Sequence, residues 1–229
     1  MSAGVAATSK TQIDLLGDRL RKGAVSDDDL TRLDSYRGSF AEAYGEVVAA
    51  VRASTHFEPT GRPAKSTSSI VEKLRRETIR LSQMQDIAGC RLVVEDILAQ
   101  DQVVERLKGT FAKVVVVDRR KEPSYGYRAV HAIPTVRNRP VEIQVRTELQ
   151  HLWAQLSERL SDTLDPTIKY GGGDRWVQGR LSATSKLIGE LEERDLQPGS
   201  VERDLKLAQI KAQFREYLRE AIIRGLDAL

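Results

Sequence analysis

The sequence predicts an α/β (α+β) fold in which a mixed β-sheet of about four or five strands is wrapped by helices, with additional helices at both ends. In the middle of the chain, short apolar runs rich in β-branched residues, such as "IAGCRLVV", alternate with helix-like segments. At both ends, apolar residues instead recur at helical spacing. With 229 residues, of which 40% are hydrophobic, the chain is long enough to bury an ordinary core.

The N-terminal part is predicted to be helical. Ser26, followed by three aspartates, is a typical helix start, with an N-cap and acidic residues at the positive end of the helix dipole. The apolar residues that follow at helical spacing predict one long helix to about Ala53. A weaker helix is predicted before it, over residues 11–22.

The central part combines one helix with a series of strands. After the loop "EPTGRPAKS", Ser69 and Glu72 offer a capping box for a helix near 70–81. The segments that follow are predicted, in chain order, as strand "IAGCRLVV", helix 96–110, strand "AKVVVV", strand "RAVHAIPTV", turn "RNRP" and strand "VEIQVRT". The short "RNRP" turn makes the last two strands a hairpin.

Three helices are predicted after the sheet. Thr147 and Glu148 start the first helix, and the others span about 174–194 and 201–226, separated by "QPGS". Apolar residues at helical spacing in the last two helices are expected to pack on the domain. A dimer or partner surface is the alternative for these helices.

Composition and motifs argue against several classes of protein. No apolar run approaches the roughly 18 residues of a membrane span, and "MSAGVAATSK" lacks the apolar core of a secretory signal, so we expect a cytoplasmic protein. The single cysteine, Cys90, excludes an intramolecular disulfide and a cysteine-based zinc cluster, and its apolar neighbours predict a packing residue. No histidine is followed by aspartate, so a His-Asp metal phosphohydrolase is unsupported. The absence of a Gly-x-x-x-x-Gly-Lys loop disfavours a P-loop enzyme.

Positive charge is concentrated in two segments. Residues 61–80 hold six basic and two acidic side chains, and residues 119–146 hold seven basic and two acidic ones, although the net charge of the chain is only +3. Such segments favour a polyanionic ligand, either a nucleotide or a nucleic acid. For the first segment, the alternative is that the basic residues solvate a helix face.

Polar side chains follow one face of the predicted strand "VEIQVRT". In this strand Glu142, Gln144 and Arg146 alternate with apolar residues. The hairpin brings three further polar residues close to them: Tyr127, Arg128 and His131. A solvated face explains one polar strand, but two such strands side by side favour a ligand.

Two acids stand out beside these strands. Asp86 lies at the entrance to the strand "IAGCRLVV", which also carries Arg91, and Glu142 lies on another strand. Two carboxylates from separate strands are able to share a divalent metal ion, while arginines and lysines around them hold phosphates. This set of residues suits phosphoryl or pyrophosphoryl transfer, where positioning and charge neutralisation supply most of the catalysis.

Four motifs, "SSIVEKLRR", "DIAGCRLVV", "YGYRAVH" and "VEIQVRT", resemble in order and spacing the synthetase domain of the RelA/SpoT family, the guanosine polyphosphate alarmone synthetases. The resemblance covers about residues 62–162, and the chain is similar to the small single-domain members of the family. It implies a nucleotidyltransferase-like fold and, with Mg²⁺, transfer of the β,γ-pyrophosphate of ATP to a ribose 3′-hydroxyl. The corresponding division is N-terminal helices at 1–55, a pyrophosphokinase core at 56–165 and a C-terminal helical extension at 166–229.

The resemblance also implies roles for individual residues. Asp86 would be a Mg²⁺ ligand, and Glu142 would bind Mg²⁺ or activate the hydroxyl as a base. The residues implied for ATP binding are Arg62 and Arg91 beside the adenine and Lys65, Lys73 and Arg76 on the phosphates. The residues implied for acceptor binding are Tyr127, which would stack on the base, with Arg128, His131, Gln144 and Arg146.

The segment before "YGYRAVH" differs from the family pattern. The family usually has Pro-Lys-x-Asn before Gly-Tyr-Arg, whereas this chain reads "EPSYGYR", with Tyr125 in place of the asparagine and without the lysine. Because these positions serve the acceptor, its identity stays open. The segment "ELQHLWAQLSERLSD" followed by "KYGGG" resembles the toxic small members, which pyrophosphorylate the 3′-terminal adenosine of tRNA and are neutralised by an antitoxin.

Three functions are therefore compared. We favour a translation-inhibiting, tRNA-modifying toxin with a protein antitoxin, because five basic residues suit the acceptor stem of tRNA: Arg119, Arg120, Lys121, Arg137 and Arg139. The alternatives are a (p)ppGpp synthetase acting on GDP or GTP, and an inactive nucleotide- or RNA-binding module. Retention of both Asp86 and Glu142 disfavours the inactive module. A homo-oligomer is also left open.

Overall fold

A computed structural model describes residues 9–225 of the protein. In this part of the chain the elements are α1 (Lys10–Lys22), α2 (Asp27–Gly38), α3 (Ala41–Thr55), β1 (Thr60–Arg62), α4 (Thr67–Arg76), β2 (Gly89–Val94), α5 (Ile97–Thr110), β3 (Val114–Asp118), β4 (Val130–Val136), β5 (Arg139–Pro140), β6 (Glu142–Thr147), α6 (Glu148–Thr163), α7 (Arg175–Asp195) and α8 (Val201–Arg224). Short 3₁₀ turns lie at Leu81–Gln83 and Ile168–Tyr170. Most of "MSAGVAATSK" and the predicted last residue of the final helix lie outside the described residues.

The described residues divide into two compact units. The first consists of residues 9–90, 110–114 and 133–143, and the second of residues 91–109, 115–132 and 144–225. No helix within 9–225 combines the length and apolar character that a membrane crossing requires.

The strands form a mixed sheet, which confirms the predicted fold class. Within the described residues it has six strands in the order β1-β2-β6-β4-β3, with β5 paired to β4. The strands β1 and β5 are only three and two residues long, so a search for alternating apolar residues does not find them. A hairpin turn lies at the predicted place, because Arg137 and Asn138 have positive φ angles of 49° and 59°, as a two-residue type I′ turn requires. It joins β4 to the antiparallel β5, which consists of the last two residues of the predicted "RNRP" turn, and β6 follows after β5.

The alternation predicted for β6 is also confirmed. Val141, Ile143 and Val145 are fully buried, whereas Glu142 and Gln144 are half-buried. The strand therefore contributes apolar side chains to the core and presents polar ones on its other face.

The single long helix predicted from Ser26 to about Ala53 is wrong. The structure has two helices, and the chain turns between Gly38 and Ala41. The Ser39 hydroxyl donates to the Tyr36 carbonyl at 2.6 Å, a local bond that competes with helix continuation. Apolar spacing does not reveal the break, because both helices bury their apolar residues, such as Leu33 and Val47, in the first unit.

The capping prediction for α4 is wrong by three residues. The N-cap is Ser66, whose hydroxyl accepts from the Ser69 amide at 3.3 Å, and the helix ends at Arg76 rather than near Leu81. The Arg21 side chain of α1 donates to the Leu74 carbonyl in the last turn of α4, at 2.7 Å, and also to the Ile79 carbonyl beyond the helix end. These contacts satisfy carbonyl groups near the helix end and fix the last turn of α4.

The second unit buries the faces of its three C-terminal helices. Their core consists of residues from α6, α7, α8 and the second 3₁₀ turn: Leu149, Leu152, Trp153, Ala154, Leu156, Leu160, Ile168, Val177, Leu181, Ile188, Leu191, Leu207, Leu218 and Ala221. The Trp153 indole donates to the Leu181 carbonyl at 2.9 Å, which ties α6 to α7. Packing is thus confirmed for one face of these helices.

Candidate active site

In the first unit, Asp86 is held between two lysines. Lys65, just before α4, donates to Oδ2 of Asp86 at 2.8 Å, and Lys73, on α4, donates to Oδ1 at 2.9 Å. Burial opposes the charge of Asp86, but the charges and hydrogen bonds of Lys73 and Lys65 outweigh it, and the pKa of Asp86 is lowered. The carboxylate is therefore ionised at neutral pH, with both ammonium groups in contact.

Backbone contacts bring Glu142 beside the strand that follows Asp86. The Glu142 amide donates to the Ala88 carbonyl at 3.1 Å, only two residues beyond Asp86. Gly89 is needed here, because a Cβ at this position would lie 2.9 Å from the carbonyl oxygen of Glu142. The amide of Lys65 donates to the Ile87 carbonyl at 2.6 Å, which holds the backbone of Lys65 against the residue that follows Asp86. The two acids predicted from the sequence are thus brought to neighbouring positions of the backbone.

The acids fit a magnesium ion that shares its coordination with phosphates. In the described part of the chain, no group of three or more His, Cys, Asp or Glu side chains forms a complete metal site. Mg²⁺ usually needs only one or two protein carboxylates, because substrate phosphates and water complete its octahedral shell. An ionised Asp86, two residues before the carbonyl that accepts from the Glu142 amide, is compatible with this requirement, and Lys65 and Lys73 place positive charge beside it.

The two arginines predicted for ATP in the first unit occupy the ends of short elements. Arg62 is the exposed last residue of β1, and Gly61 before it packs so tightly that a Cβ would lie 2.3 Å from the Gly89 carbonyl oxygen. Arg76 is the last residue of α4 and pairs with Glu77 at 2.9 Å. Their roles at the adenine and the phosphates stay predictions.

In the second unit, four of the residues predicted for the acceptor form one cluster. The Tyr127 hydroxyl and Nε2 of His131 are 2.9 Å apart. Nη2 of Arg146 donates to the Tyr127 hydroxyl at 3.0 Å and to Oε1 of Gln144 at 2.8 Å, and the guanidinium lies 4.9 Å from the Tyr127 ring centroid. Residues separated by up to nineteen positions along the chain therefore contact one another in one place.

The chain is similar to proteins of one family. The family model described as "Region found in RelA / SpoT proteins" matches residues 61–161. Residues 61–161 are thus similar to the region that RelA and SpoT proteins share. The resemblance predicted from four motifs over about 62–162 is thereby confirmed.

Individual relatives and solved structures agree with the family match. Uncharacterized protein Rv1366 of Mycobacterium tuberculosis is 38% identical over 111 residues, which are 47% of this chain and 41% of that relative. The chain thus matches less than half of the length of this relative. Small alarmone synthetase 1 from Bacillus subtilis, solved with its product pppGpp, has 26% identity and a TM-score of 0.58, covering 72% of this chain and 94% of that one. Protein smu.1046c from Streptococcus mutans UA159 has 29% identity and a TM-score of 0.54, covering 74% and 95%.

Arg128, within the matched residues 61–161, is engaged by protein groups that lie outside the cluster around Tyr127. Its Nε donates to the carbonyl and the hydroxyl of Ser185, both at 3.1 Å, and its Nη1 donates to the Arg120 carbonyl at 2.6 Å. A Cβ at Gly189 would lie 2.9 Å from its Cζ. These contacts hold α7 and favour a structural role for Arg128, which differs from the predicted acceptor-binding role.

Three of the five basic residues predicted for a tRNA stem also contact the protein. Arg120 pairs with Asp101 and Asp118, each at 2.7 Å. Arg137 pairs with two glutamates of α3, and Arg139 lies over the rings of Tyr36 and Phe40, at 5.5 and 5.0 Å from their centroids. Arg119 and Lys121 are exposed.

His151 lies near Arg91 and Arg146 in the second unit, although the sequence did not indicate it as a site residue. Burial and the nearby charges of Arg91 and Arg146 lower the pKa of His151 to about 4, so its ring is neutral at pH 7. Burial, followed by the charge of Arg146, also lowers the pKa of Arg91. Buried nitrogen atoms of all three side chains lack a hydrogen-bond partner: Nε of Arg91, Nε of Arg146 and Nδ1 of His151. The signal available in the sequence is a histidine in the first turns of the helix that follows a motif strand.

We expect His151 to make the protein less stable in mild acid. Its folded pKa of about 4 lies below the value of about 6.5 in an unfolded chain, so the unfolded chain takes up the proton first. Stability is therefore lost as pH falls from about 6.5 towards 4. The melting temperature of wild type should drop more between pH 7 and pH 5 than that of His151→Gln, which has no titrating ring.

The matched control for this prediction is the exposed His56, replaced by Asn because its φ of 62° is tolerated by asparagine. His56→Asn should keep the pH dependence of wild type. Equal drops in melting temperature for wild type and His151→Gln would contradict the assignment.

Cys90 is confirmed as a packing residue. It is buried, and burial, aided by the charge of Glu142, raises the pKa of its thiol to about 12. The thiolate that reactivity requires is therefore absent at neutral pH.

Proposed function

We propose that the chain is an ATP-dependent pyrophosphokinase of the RelA/SpoT type. The observation that carries this proposal is the pairing of Asp86 with Lys65 and Lys73, next to the backbone bond from Glu142 to Ala88. Beside the first residues of β2 and β6, the two acids would bind a divalent metal ion and the two lysines would bind a triphosphate. The family match and the likeness to small alarmone synthetases support the same reaction.

In the proposed reaction, the oxygen of a ribose 3′-hydroxyl attacks the β-phosphorus of ATP. The bond between this phosphorus and the oxygen bridging to the α-phosphate breaks, and AMP leaves with that oxygen. Glu142 accepts the proton of the attacking hydroxyl. Mg²⁺, when held by Asp86 and Glu142, supplies neutralisation of the phosphate charge.

Lys65 and Lys73 change partners in this proposal. In the structure both ammonium groups neutralise the single charge of Asp86. When ATP binds, we expect them to contact its phosphates, because these carry more negative charge than one carboxylate. Arg62 and Arg91 flank the adenine and Arg76 contributes to phosphate binding, as the family motifs imply.

For the acceptor we propose the 3′ end of tRNA, which would make the protein a translation inhibitor with a cognate antitoxin in the cytoplasm. The departure at Tyr125, where the family has asparagine, supports an acceptor other than a guanosine nucleotide. The cluster of Tyr127, His131, Gln144 and Arg146 provides a ring for stacking and polar groups for the base or ribose.

The second candidate is (p)ppGpp synthesis from GDP or GTP. It is favoured by the likeness to the Bacillus subtilis synthetase, whose own product is pppGpp. Tyr127 would then stack on guanine, and the two candidates share every donor-side residue.

One assay separates these functions. The protein is incubated with Mg²⁺ and γ-labelled ATP, with guanosine nucleotides and deacylated tRNA offered side by side. Label on tRNA supports our proposal, and tRNA ending in 3′-deoxyadenosine should stay unlabelled because the attacking hydroxyl is missing. Label on the guanosine nucleotide alone rejects the tRNA acceptor, and the absence of AMP with every acceptor favours an inactive binding module.

A further inference from the structure

Two exposed aromatic rings lie beside one glycine-rich loop of the second unit. All twelve aromatic residues belong to the described part of the chain, and only Tyr125 and Trp176 are largely exposed, at 62% and 54%. The loop "KYGGGD" precedes Trp176 directly, and its Gly171 packs against the ring of Tyr125. Single exposed apolar residues are common on protein surfaces, but the presence of both exposed rings of this chain at one loop indicates a ligand-binding surface.

The backbone conformation of Tyr125 is energetically unfavourable. Its φ of 53° is in the left-handed region, which costs of order 1–3 kcal/mol for a residue with a side chain and persists only where surrounding structure imposes it. A Cβ at Gly171 would lie 2.3 Å from Cδ1 of Tyr125, so only glycine lets the ring rest on this backbone. The loop therefore presents the ring to solvent in a fixed position.

Basic groups accompany these rings. Nζ of Lys169 lies 5.2 Å from the Tyr170 ring centroid, and Cζ of Arg180 lies 5.7 Å from that of Trp176. Lys121, four residues before Tyr125, and Arg175, directly before Trp176, are also exposed. The acid of the loop and one acid before it are engaged locally, since Asp174 caps α7 through the Trp176 and Val177 amides and Asp165 accepts from Thr167. The surface thus offers aromatic faces and positive charge.

We propose that this surface, Tyr125, Lys169, Tyr170 and Trp176, binds the single-stranded 3′ end of an RNA acceptor, with bases stacked on Tyr125 and Trp176. The inference rests on the proposed function, and it names a binding surface for the acceptor in addition to the Tyr127 cluster. Unpaired RNA bases stack on aromatic side chains while lysines and arginines contact the phosphates. A protein partner fits less well, because the surface alternates rings with cations instead of presenting contiguous aliphatic side chains.

The test uses the full chain and a short RNA oligonucleotide ending in CCA, in the absence of ATP. Binding should quench the fluorescence of Trp176, since the only other tryptophan, Trp153, is buried. Affinities of all variants are measured from the fluorescence anisotropy of a dye-labelled oligonucleotide, which does not depend on Trp176. Trp176→Leu and Tyr125→Asn should each weaken binding about 5- to 100-fold, the effect expected for one stacked base. Asparagine is chosen at Tyr125 because it tolerates positive φ.

Two further variants distinguish stacking from a general loss of structure. Trp176→Phe retains a ring and should keep most of the affinity. Leu196→Ala removes an exposed apolar side chain elsewhere on the second unit and should leave binding unchanged. Melting temperatures within a few degrees of wild type would show that the variants are folded.

The outcomes separate this inference from the proposed function. If tRNA is labelled in the transfer assay and the KM for tRNA rises in Trp176→Leu and Tyr125→Asn while the KM for ATP does not, both stand. If tRNA is labelled with an unchanged KM in both variants, the surface is rejected and the proposed function stands. If the oligonucleotide binds with the expected losses but only guanosine nucleotides are labelled, the surface stands and the acceptor is wrong. Absence of quenching and of binding overturns the inference.

Discussion

Replacement of Glu142 by glutamine is expected to reduce pyrophosphate transfer to any acceptor by about 10²- to 10⁴-fold, the contribution of a positioned proton acceptor. The amide has nearly the same volume but neither accepts the proton nor binds a hard cation well. Glu142 is half-buried between the fully buried Val141 and Ile143, and glutamine fits the same space, so the fold should be retained. AMP release in a single turnover, measured beside the melting temperature, checks both parts of the expectation.

A matched control is Glu148→Gln, the same chemical change six residues later. Glu148 pairs with Arg215 at 3.2 Å at the start of α6, outside the proposed machinery. Its variant should release AMP at the rate of wild type. A folded Glu142→Gln protein that keeps more than about a tenth of the wild-type rate would refute the role of this acid.

The fold was largely predictable because its strands and most of its helices follow simple periodicities. On β6 the alternation of Val141, Ile143 and Val145 with polar residues predicted both the strand and its buried face. The break between α2 and α3 was not predictable from spacing, because Leu33 and Val47 are both buried and a hydroxyl bond at Ser39 decides where the helix ends. Short strands such as Thr60–Arg62 have too few residues to show a period.

The site was predictable where short motifs carry it, and not where distant segments meet. Asp86 and Glu142 lie in strand motifs, so the sequence alone indicated both. The engagement of Arg128 depends on Ser185, 57 residues away, and the exposure of Tyr125 depends on Gly171. The lowered pKa of His151 likewise arises from burial and from arginines on two different strands. Contacts of this kind come from packing, which no local pattern encodes.

Asp86 differs from Glu142 because it also stabilises the protein. Its side chain is 18% exposed and its carboxylate pairs with Lys65 and Lys73, whose side chains are 13% and 22% exposed. Removing the acid leaves two ammonium groups close together and partly desolvated, with no counter-charge. Because the folded pKa of Asp86 is lowered, its contribution is fully present above the unfolded value of about 3.9 and is lost as pH falls through the folded one.

We therefore expect Asp86→Asn to lose both activity and stability at pH 7, with a destabilisation of about 1–3 kcal/mol. The double variant Asp86→Asn/Lys73→Met, which also removes one ammonium group, should recover part of the melting temperature but none of the AMP release, because the proposed metal ligand is still missing. The difference in stability between wild type and Asp86→Asn should shrink as pH falls below about 4, because the carboxyl of the unfolded chain takes up its proton there before that of the folded protein does. Recovery of activity together with stability in the double variant would show that Asp86 only supports the fold, and the chemistry would then have to depend on Glu142 without it.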